Sequence, residues 1–236
     1  MIKAVIFDLD DTLISEKSYI LSGYRHVARI LGKEYKLEEG KILGELIELC
    51  NEGFRQVFNR WFDKKSIAYT AEMIKALVRE YHEHNPEIEF YNDVIVFLNE
   101  LRKLKIKTGI ITDGDSNMQR CKLRTIEADK YFDKIIVTDE LGPNYNKPNP
   151  YAFELMQQFF SIEYAEMMYV GDNPMKDFYV ASKLPITTVR INRGGVYKDE
   201  AYLHNIKEQY KVNSLREIVV LLGPYVEPIG SKPRNV

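Results

Sequence analysis

Residues 1–14 of the chain read MIKAVIFDLDDTLI, and this stretch decides the fold. Its apolar part, residues 2–7, is typical of a strand that is buried on both faces of a parallel sheet. The strand is followed directly by three carboxylates and a threonine, Asp8, Asp10, Asp11 and Thr12. Because burying a carboxylate is unfavourable without a cation or hydrogen bonds, this strand end predicts a site with a compensating group.

Composition limits the class of protein. At 236 residues, the chain is long enough for one large domain or two small ones, and 45% apolar and 29% charged residues are ordinary values for a globular protein. The net charge of −2 argues against a nucleic-acid surface and a polybasic membrane patch, and no apolar run is long enough to span a bilayer. Since the opening residues lack a secretory signal pattern and Cys50 and Cys121 fall in separate predicted helices, we expect a reduced, cytoplasmic protein.

Residues 16–88 are predicted to form a helical bundle. Apolar side chains recur at helical spacing in three runs, near residues 20–31, 42–61 and 73–81, and Gly32 is expected to end the first helix. None of these runs has the alternation of a strand. The segment therefore indicates a small helical domain inserted into the rest of the chain.

From Asn85-Pro86 onward, strands alternate with helices. Strands are predicted at 105–112, 135–137, 167–170 and 186–191, and helices at 93–104, at 116–128, from Pro150 and after Pro174. A last helix is expected to begin with capping-box spacing at Ser214 and Glu217 and to end at Gly223-Pro224, before an irregular tail, 223–236. This alternation predicts parallel βαβ units with right-handed crossovers.

The predicted fold class is therefore α/β, a Rossmann-like parallel sheet core with an inserted α-helical cap domain. The opening strand belongs to the later strands, because a lone strand cannot pair with a helical bundle. The core domain is predicted to comprise residues 1–15 and 89–236, and the cap domain residues 16–88.

Polar groups follow the first four predicted strands at the point where each ends. In chain order, they are Asp8 and Asp10, then Thr112, Asp113 and Gly114, then Lys147, and then Asp172, Asn173 and Asp177. Ligands of open parallel sheets bind beyond the carboxyl ends of the strands. These groups suit a phosphate and a hard divalent cation, so we expect them to form one site.

The residue types fit phosphoryl transfer. Magnesium prefers oxygen ligands and typically takes one or two carboxylates, here Asp8 and Asp172, plus a phosphate oxygen. A carboxylate can also attack phosphorus, and a cation and a lysine would offset the repulsion between two anions. Asp10 needs a loop conformation to face the same side as Asp8, and there it could protonate the leaving alcohol and then activate water. Thr112 and the amide groups that follow it, in Asp113 and Gly114, could cradle the phosphoryl oxygens.

Each of these motifs also has a structural explanation. The residues DDT can cap a helix, KPNP and GDNP are ordinary turn sequences, and a threonine is common at a strand end. Short motifs taken singly are weak evidence. Four of them in order, all at strand ends, are hard to obtain from capping alone.

The order and types of these residues resemble the haloacid dehalogenase-like superfamily over essentially the whole chain. The resemblance is carried by DLDDT at 8–12, IIT at 110–112, KP at 147–148 and GDNPMKD at 171–177. It implies that Asp8 is the nucleophile and Asp10 the general acid and base. Thr112 and Lys147 would hold the phosphoryl group, and Asp172 would ligate Mg²⁺ together with Asp8 and the backbone carbonyl of Asp10.

The finer details of the resemblance concern residues around this site. Asn173 and Asp177 are expected to support the metal ligands or Lys147. The stretch ITDGDSNMQRCKL resembles nucleotidase and N-acylneuraminate-phosphate phosphatase relatives, which usually read ITNG followed by a glutamine and a basic residue, so Asp113 is a departure. The loop before Lys147 is two residues longer than usual, and Lys134 is the alternative lysine.

The resemblance implies a magnesium-dependent phosphatase that acts on a small phosphorylated metabolite through an aspartyl-phosphate, with the cap as a lid. A phosphomutase, which returns the phosphoryl group to another hydroxyl, is the second hypothesis, and release of free phosphate separates the two. A third is a phosphoaccepting signalling module, since receiver domains also place acids, a threonine and a Lys-Pro around a phosphorylated aspartate. Persistence of the acyl-phosphate without turnover would favour it.

Overall fold

The computed structural model describes residues 1–195, 197 and 201–222, which contain one six-stranded sheet. The strands are β1 (Ala4–Phe7), β2 (Lys107–Thr112), β3 (Lys134–Val137), β4 (Met167–Gly171), β5 (Thr187–Ile191) and β6 (Tyr210–Val212). They lie in the order β3-β2-β1-β4-β5-β6, and every neighbouring pair is parallel. The predicted α/β fold is confirmed.

Strand β1 lies at the centre of the sheet, and all four of its residues are buried. Its last residue, Phe7, pairs with Ile110 of β2 and Val170 of β4. The acids after β1 therefore emerge at the same edge as Thr112, which ends β2, and Asp172, which follows β4. The chain order reverses at β1, so this edge is the topological switch point where open α/β sheets bind ligands.

Seven α-helices complete the described architecture. Four lie between β1 and β2, namely α1 (Glu16–Tyr35), α2 (Glu39–Glu52), α3 (Val57–Lys65) and α4 (Ala71–Glu83). The other three, α5 (Val94–Lys103), α6 (Ser116–Thr125) and α7 (Tyr151–Phe160), alternate with the strands. Helices α1–α4, called the helical bundle below, have their own apolar cluster, separate from the clusters that pack against the sheet. Trp61, the one tryptophan of the chain, is fully buried in that cluster, and its Nε1 donates to Glu45 at 2.9 Å.

The helix boundaries in the bundle differ from the predicted ones. Helix α1 passes through Gly32 and ends at Lys36, whose backbone is left-handed. Gly32 instead permits a close approach, since a Cβ there would lie 3.0 Å from the backbone oxygen of Leu37. The second predicted run is two helices, α2 and α3, separated near Gly53. The apolar pattern in the sequence continues across the break at Gly53, because α2 and α3 both pack into the apolar cluster of the bundle.

Short elements of the core also differ from the prediction. The segment after Pro174 contains a 3₁₀ turn, Tyr179–Ser182, instead of the predicted α-helix, and the last helix, Leu215–Leu221, is 3₁₀. Strand β6 was not predicted, because it has three residues of which only Val212 is buried. Gly223-Pro224 and the tail 223–236 lie outside the described residues.

Arg193 holds together the two linkers that join the sheet to the helical bundle. Its contacts with these linkers are called the linker clamp below. The amide of Tyr91 in the second linker donates to the backbone oxygen of Leu13 in the first at 2.9 Å. Arg193, just after β5, donates to the backbone oxygen of Thr12 at 3.2 Å and pairs with Asp93 at 2.8 Å. Its guanidinium group also lies 4.4 Å from the centre of the Tyr91 ring. The clamp therefore holds both linkers against the sheet.

Two expectations about the chain's surroundings can be compared with the described residues. None of the helices in the described part of the chain is both long enough and apolar enough to cross a bilayer. Cys50 and Cys121 are both buried and carry free thiols.

Candidate active site

Three carboxylates meet at the switch point. Asp8 follows β1, Asp172 follows β4, and Asp177 lies in the turn beyond it; one oxygen of each lies within 4.8 Å of the others, and all three residues are buried. A Cβ on Gly171 would lie 2.4 Å from Oδ2 of Asp177, so only glycine leaves room for that side chain. The amide of Asn173 donates to the same oxygen at 2.9 Å, which fixes the turn. These three residues are called the acid cluster below.

Lys147 reaches the acid cluster across the long loop. Its Nζ lies 2.6 Å from Oδ1 of Asp8 and 2.8 Å from Oδ1 of Asp177, and its side chain is fully buried. It also donates to the hydroxyl of Tyr169 at 2.6 Å. Lys134, the alternative suggested by loop length, instead lies 5.1 Å from the centre of the Phe159 ring. The extra loop residues therefore do not prevent Lys147 from reaching the strand end.

The electrostatics of the acid cluster indicate a shortage of positive charge. Burial raises the pKa of Asp8 to about 6, although Lys147 opposes the shift. Burial, and then Asp177 and Asp8, raise the pKa of Asp172 to about 9. The pKa of Lys147 lies well above its usual value because Asp177 and Asp8 outweigh the effect of burial. Lys147 thus contacts two of the three carboxylates, and a divalent cation bound here would add positive charge beside the third.

The residues after β2 form the adjacent wall of the site. Thr112 is buried, and its Oγ1 accepts a hydrogen bond from Nε2 of Gln119 at 2.6 Å. Gly114 has a φ of 128°, which is available to glycine and strained for other residues. The structure thus places both residues at the edge of the sheet, where Asp8 also lies.

Asp113 is held by neighbouring groups of the same wall. Its carboxylate accepts from Thr138 Oγ1 at 2.8 Å and from the amide of Lys147 at 3.1 Å, and it pairs with Lys176 at 3.2 Å. Burial acts to raise the pKa of Asp113, but Lys147, Lys176 and these hydrogen bonds outweigh it and lower the pKa. The negative charge of Asp113 is therefore compensated by a second lysine, Lys176.

Asp10 lies apart from the acid cluster. Both of its carboxylate oxygens lie 2.8 Å from Nζ of Lys122, and Gln119 donates to Oδ2 at 2.9 Å. Neighbouring Asp11 accepts from the amide of Glu16 at 3.0 Å, at the start of α1. Asp11 thus stabilises the beginning of a helix, in agreement with the capping interpretation of DDT.

Sequence reasoning missed four residues of this region, Tyr169, Lys176, Gln119 and Lys122. Gln119 and Lys122 had a detectable signal, since they are three residues apart in a predicted helix and thus share one face. All three of Gln119, Lys122 and Lys176 lie within the motifs ITDGDSNMQRCKL and GDNPMKD, but the sequence indicates no role for their side chains. Tyr169 gave no signal, because a tyrosine in a buried strand looks the same whether or not its hydroxyl faces a site.

Comparison with known proteins agrees with this fold. The chain belongs to the haloacid dehalogenase-like hydrolase family, whose model matches residues 5–191. A glyceraldehyde 3-phosphate phosphatase of Methanopyrus kandleri is 30% identical over 93% of this chain and 96% of its own length. A pyrophosphatase, PpaX, of Bacillus mycoides is 26% identical over 94% of this chain and 97% of its own. The crystal structure of a phosphatase of this family from Thermococcus onnurineus superposes with a TM-score of 0.61, at 28% identity over 94% of this chain and 98% of that one.

Phosphatases of this family generally use Mg²⁺, and the acid cluster provides a group of residues that could hold such an ion. Its donors are all carboxylate oxygens, which suits a hard cation.

Proposed function

We propose that this protein is a magnesium-dependent phosphatase that hydrolyses a small phosphomonoester through an aspartyl-phosphate on Asp8. The observation that carries the proposal is the position of Asp8, with Lys147 at 2.6 Å on one side and the carboxylates of Asp172 and Asp177 within 4.8 Å. The relatives named glyceraldehyde 3-phosphate phosphatase and pyrophosphatase support a phosphorylated substrate of small size.

The metal is proposed to bind at the acid cluster. Asp8 and Asp172 would be its carboxylate ligands, the backbone carbonyl of Asp10 a third ligand, and Asp177 and Asn173 would hold these groups in place. The cluster fits because it is buried, offers only oxygen and carries more negative charge than Lys147 balances. When bound, Mg²⁺ would supply positive charge beside the incoming phosphate.

The chain's own residues account for the two chemical steps. An oxygen of Asp8 would attack phosphorus while Asp10 gives a proton to the departing alcohol oxygen, which leaves an aspartyl-phosphate and a free alcohol. A water would then attack that phosphorus and give its proton to Asp10, which releases phosphate and restores both carboxyl groups. Lys147 and Thr112, with the amide groups of Asp113 and Gly114, would bind the phosphoryl oxygens.

The helical bundle is proposed to act as a lid. In this assignment, residues 16–88 form the cap domain and residues 1–15 and 89–236 the core domain. The support is that the bundle has its own apolar cluster and is joined to the sheet by two linkers that touch each other. A closed lid would exclude bulk water while the aspartyl-phosphate forms.

Substitution of the nucleophile tests the proposal. Asp8→Asn should lower phosphate release by at least about 1,000-fold, because an amide cannot form the acyl-phosphate. Its circular dichroism spectrum should match the wild type, and Asp129→Asn, a change at an exposed aspartate, is the matched control. Phosphate release would be measured with Mg²⁺ over a panel of metabolites that includes glyceraldehyde 3-phosphate and pyrophosphate. Full activity in Asp8→Asn would exclude the assignment.

The same assay separates the other two functions. A phosphomutase would convert a sugar phosphate to its isomer without releasing phosphate. A phosphoaccepting module would keep a stable label on Asp8 after exposure to a small acyl-phosphate such as acetyl phosphate, with no turnover.

A further inference from the structure

Lys122 forms a buried ion pair with Asp10 that the proposed reaction does not account for. Its Nζ lies 2.8 Å from each oxygen of the carboxylate. The exposed fractions of the two side chains are 4% for Lys122 and 20% for Asp10. A lysine that contacts both oxygens from a buried position restricts the rotation of that carboxyl group.

Gln119 adds a second contact to the same group. Its Nε2 lies 2.9 Å from Oδ2 of Asp10, 2.6 Å from Oγ1 of Thr112 and 2.8 Å from the backbone oxygen of Asp113. One amide thus links Asp10 to the wall proposed to hold the phosphoryl group. Helix α6, which carries both Gln119 and Lys122, thereby fixes Asp10 relative to Thr112.

The helical bundle covers this arrangement. The ring of Tyr19, in α1, lies 4.4 Å from Nζ of Lys122, within the range of a cation–π contact. Tyr19 is buried, and its ring packs against those of Tyr81 and His84, with centres 6.0 and 5.1 Å away. The backbone oxygen of His84 in turn accepts from Sγ of Cys121, in α6, at 3.2 Å. The lysine is therefore enclosed by the bundle on one side and by Asp10 on the other.

We propose that Lys122 and Gln119 are positioning residues that hold the carboxyl group of Asp10 in line with the leaving oxygen, and that Tyr19 makes their position depend on the bundle. This inference rests on the proposed role of Asp10. In this inference Lys122 positions Asp10 and does not bind the phosphate, because both carboxylate oxygens of Asp10 and the ring of Tyr19 already surround its ammonium group. Bundle contact would then be required for a correctly placed acid.

The dependence on the leaving group tests this role. Phenyl phosphate releases a weakly acidic phenol that needs a proton, whereas p-nitrophenyl phosphate releases an acidic one that needs little help. Lys122→Met should lower kcat/KM for phenyl phosphate by about 10- to 100-fold and for p-nitrophenyl phosphate by no more than about threefold. Arg124→Met, which removes an exposed charge from the same helix, is the matched control and should change neither value.

A double-mutant cycle tests whether Lys122 acts through Asp10. In an Asp10→Asn background, Lys122→Met should add less than about a twofold further loss, since the group it positions is already gone. Lys122→Arg should recover part of the phenyl phosphate activity. Tyr19→Phe, which keeps the ring, should lose less of that activity than Tyr19→Leu.

The outcomes distinguish this inference from the proposed function. If the wild type cleaves neither aryl phosphate nor any phosphorylated metabolite with Mg²⁺, the proposed function fails. If the wild type is active and Lys122→Met lowers kcat/KM equally for both aryl phosphates, Lys122 binds phosphate or supports the fold, and the positioning role is wrong. Independent losses in the double-mutant cycle would overturn it as well.

Discussion

Asp172 is the member of the acid cluster that Lys147 does not pair with. In the described part of the chain, no lysine or arginine forms an ion pair with it, and its pKa is raised to about 9 by burial, Asp177 and Asp8. A carboxyl group whose folded pKa lies above its unfolded value of 3.8 stabilises the fold at low pH. That stabilisation is lost as the pH rises through the folded value. The same holds for Asp8, whose pKa is raised to about 6.

The stability of the metal-free protein should therefore fall as the pH rises above 3.8, up to about 6 through Asp8 and up to about 9 through Asp172. Because Mg²⁺ competes with protons for these carboxylates, it should raise Tm by at least about 3 °C more at pH 8.5 than at pH 5.5. Thermal unfolding in EDTA and in Mg²⁺ measures both effects. Asp172→Asn should flatten the metal-free profile and remove most of the Mg²⁺ effect. An Mg²⁺ effect that is independent of pH, or unchanged in this variant, would argue against the metal site.

Gly171 is the second residue with a measurable consequence. Since a Cβ there would lie 2.4 Å from Oδ2 of Asp177, a methyl group must displace a buried, hydrogen-bonded carboxylate. We expect Gly171→Ala to destabilise the protein by about 1–3 kcal/mol and to weaken Mg²⁺ binding. Gly44→Ala is the matched control, because nothing lies within 4 Å of its Cβ position and alanine favours a helix by about 0.5–1 kcal/mol. Urea unfolding would check that Gly171→Ala lowers the free energy of unfolding and that Gly44→Ala raises it. A Gly171→Ala variant as stable as the wild type would show that Asp177 moves freely.

At the scale of elements, α1 begins next to the site. The backbone amide of its first residue, Glu16, donates a hydrogen bond to the carboxylate of Asp11, and the Glu16 side chain is half-buried. Burial, then repulsion from Asp10 and, to a smaller extent, Asp11 raise the pKa of Glu16 to about 7, against the effect of Lys122. The favourable position of an acid at a helix N-terminus does not offset these effects.

Glu16→Gln should therefore stabilise the metal-free protein at pH 8 by about 1 kcal/mol relative to the wild type. The difference should shrink as the pH falls and vanish well below pH 4.5, the unfolded pKa, where the carboxyl group is protonated in both states. The sign follows from a folded pKa above the unfolded one, since such a group loses its stabilising effect as the pH rises. Chemical denaturation at pH 4.5, 6 and 8 measures the trend. A variant less stable than the wild type at pH 8 would contradict it.

The elements also show what sequence could predict. Long, regular elements were found because apolar periodicity reports burial directly, as in α1 and in the fully buried β1. Strand β6 was missed because only one of its three residues is buried, and the segment after Pro174 was misassigned because its 3₁₀ turn is only four residues long. The helix end placed at Gly32 was wrong because a glycine needed for close packing resembles a glycine that ends a helix.

In the candidate site, too, the sequence predicts the residues that a local pattern places and misses those that only the tertiary fold places. Asp8, Thr112 and Asp172 could be grouped from the sequence, because parallel strands bring their carboxyl ends to one edge. Partners that reach the site from another element could not be placed in this way. Lys122 lies on a helix and reaches Asp10 only through the tertiary fold, which no local pattern encodes.

At the scale of the whole molecule, the two units meet at the linker clamp. The Arg193 and Asp93 side chains are 9% and 12% exposed, so loss of the arginine leaves a mostly buried carboxylate with fewer partners. We expect Arg193→Met to destabilise the protein by about 2–4 kcal/mol, measured by urea unfolding. Asp93→Asn in the same chain should recover part of this loss. A loss below about 0.5 kcal/mol would show that the clamp contributes little to holding the linkers.

The single tryptophan gives the bundle its own optical signal. Trp61 is enclosed by bundle side chains and hydrogen-bonded to Glu45. Its fluorescence therefore responds to the packing of these helices and not to the packing of the sheet. Far-ultraviolet circular dichroism responds to both units. Comparing the two signals along one denaturation curve separates joint from stepwise melting without any label.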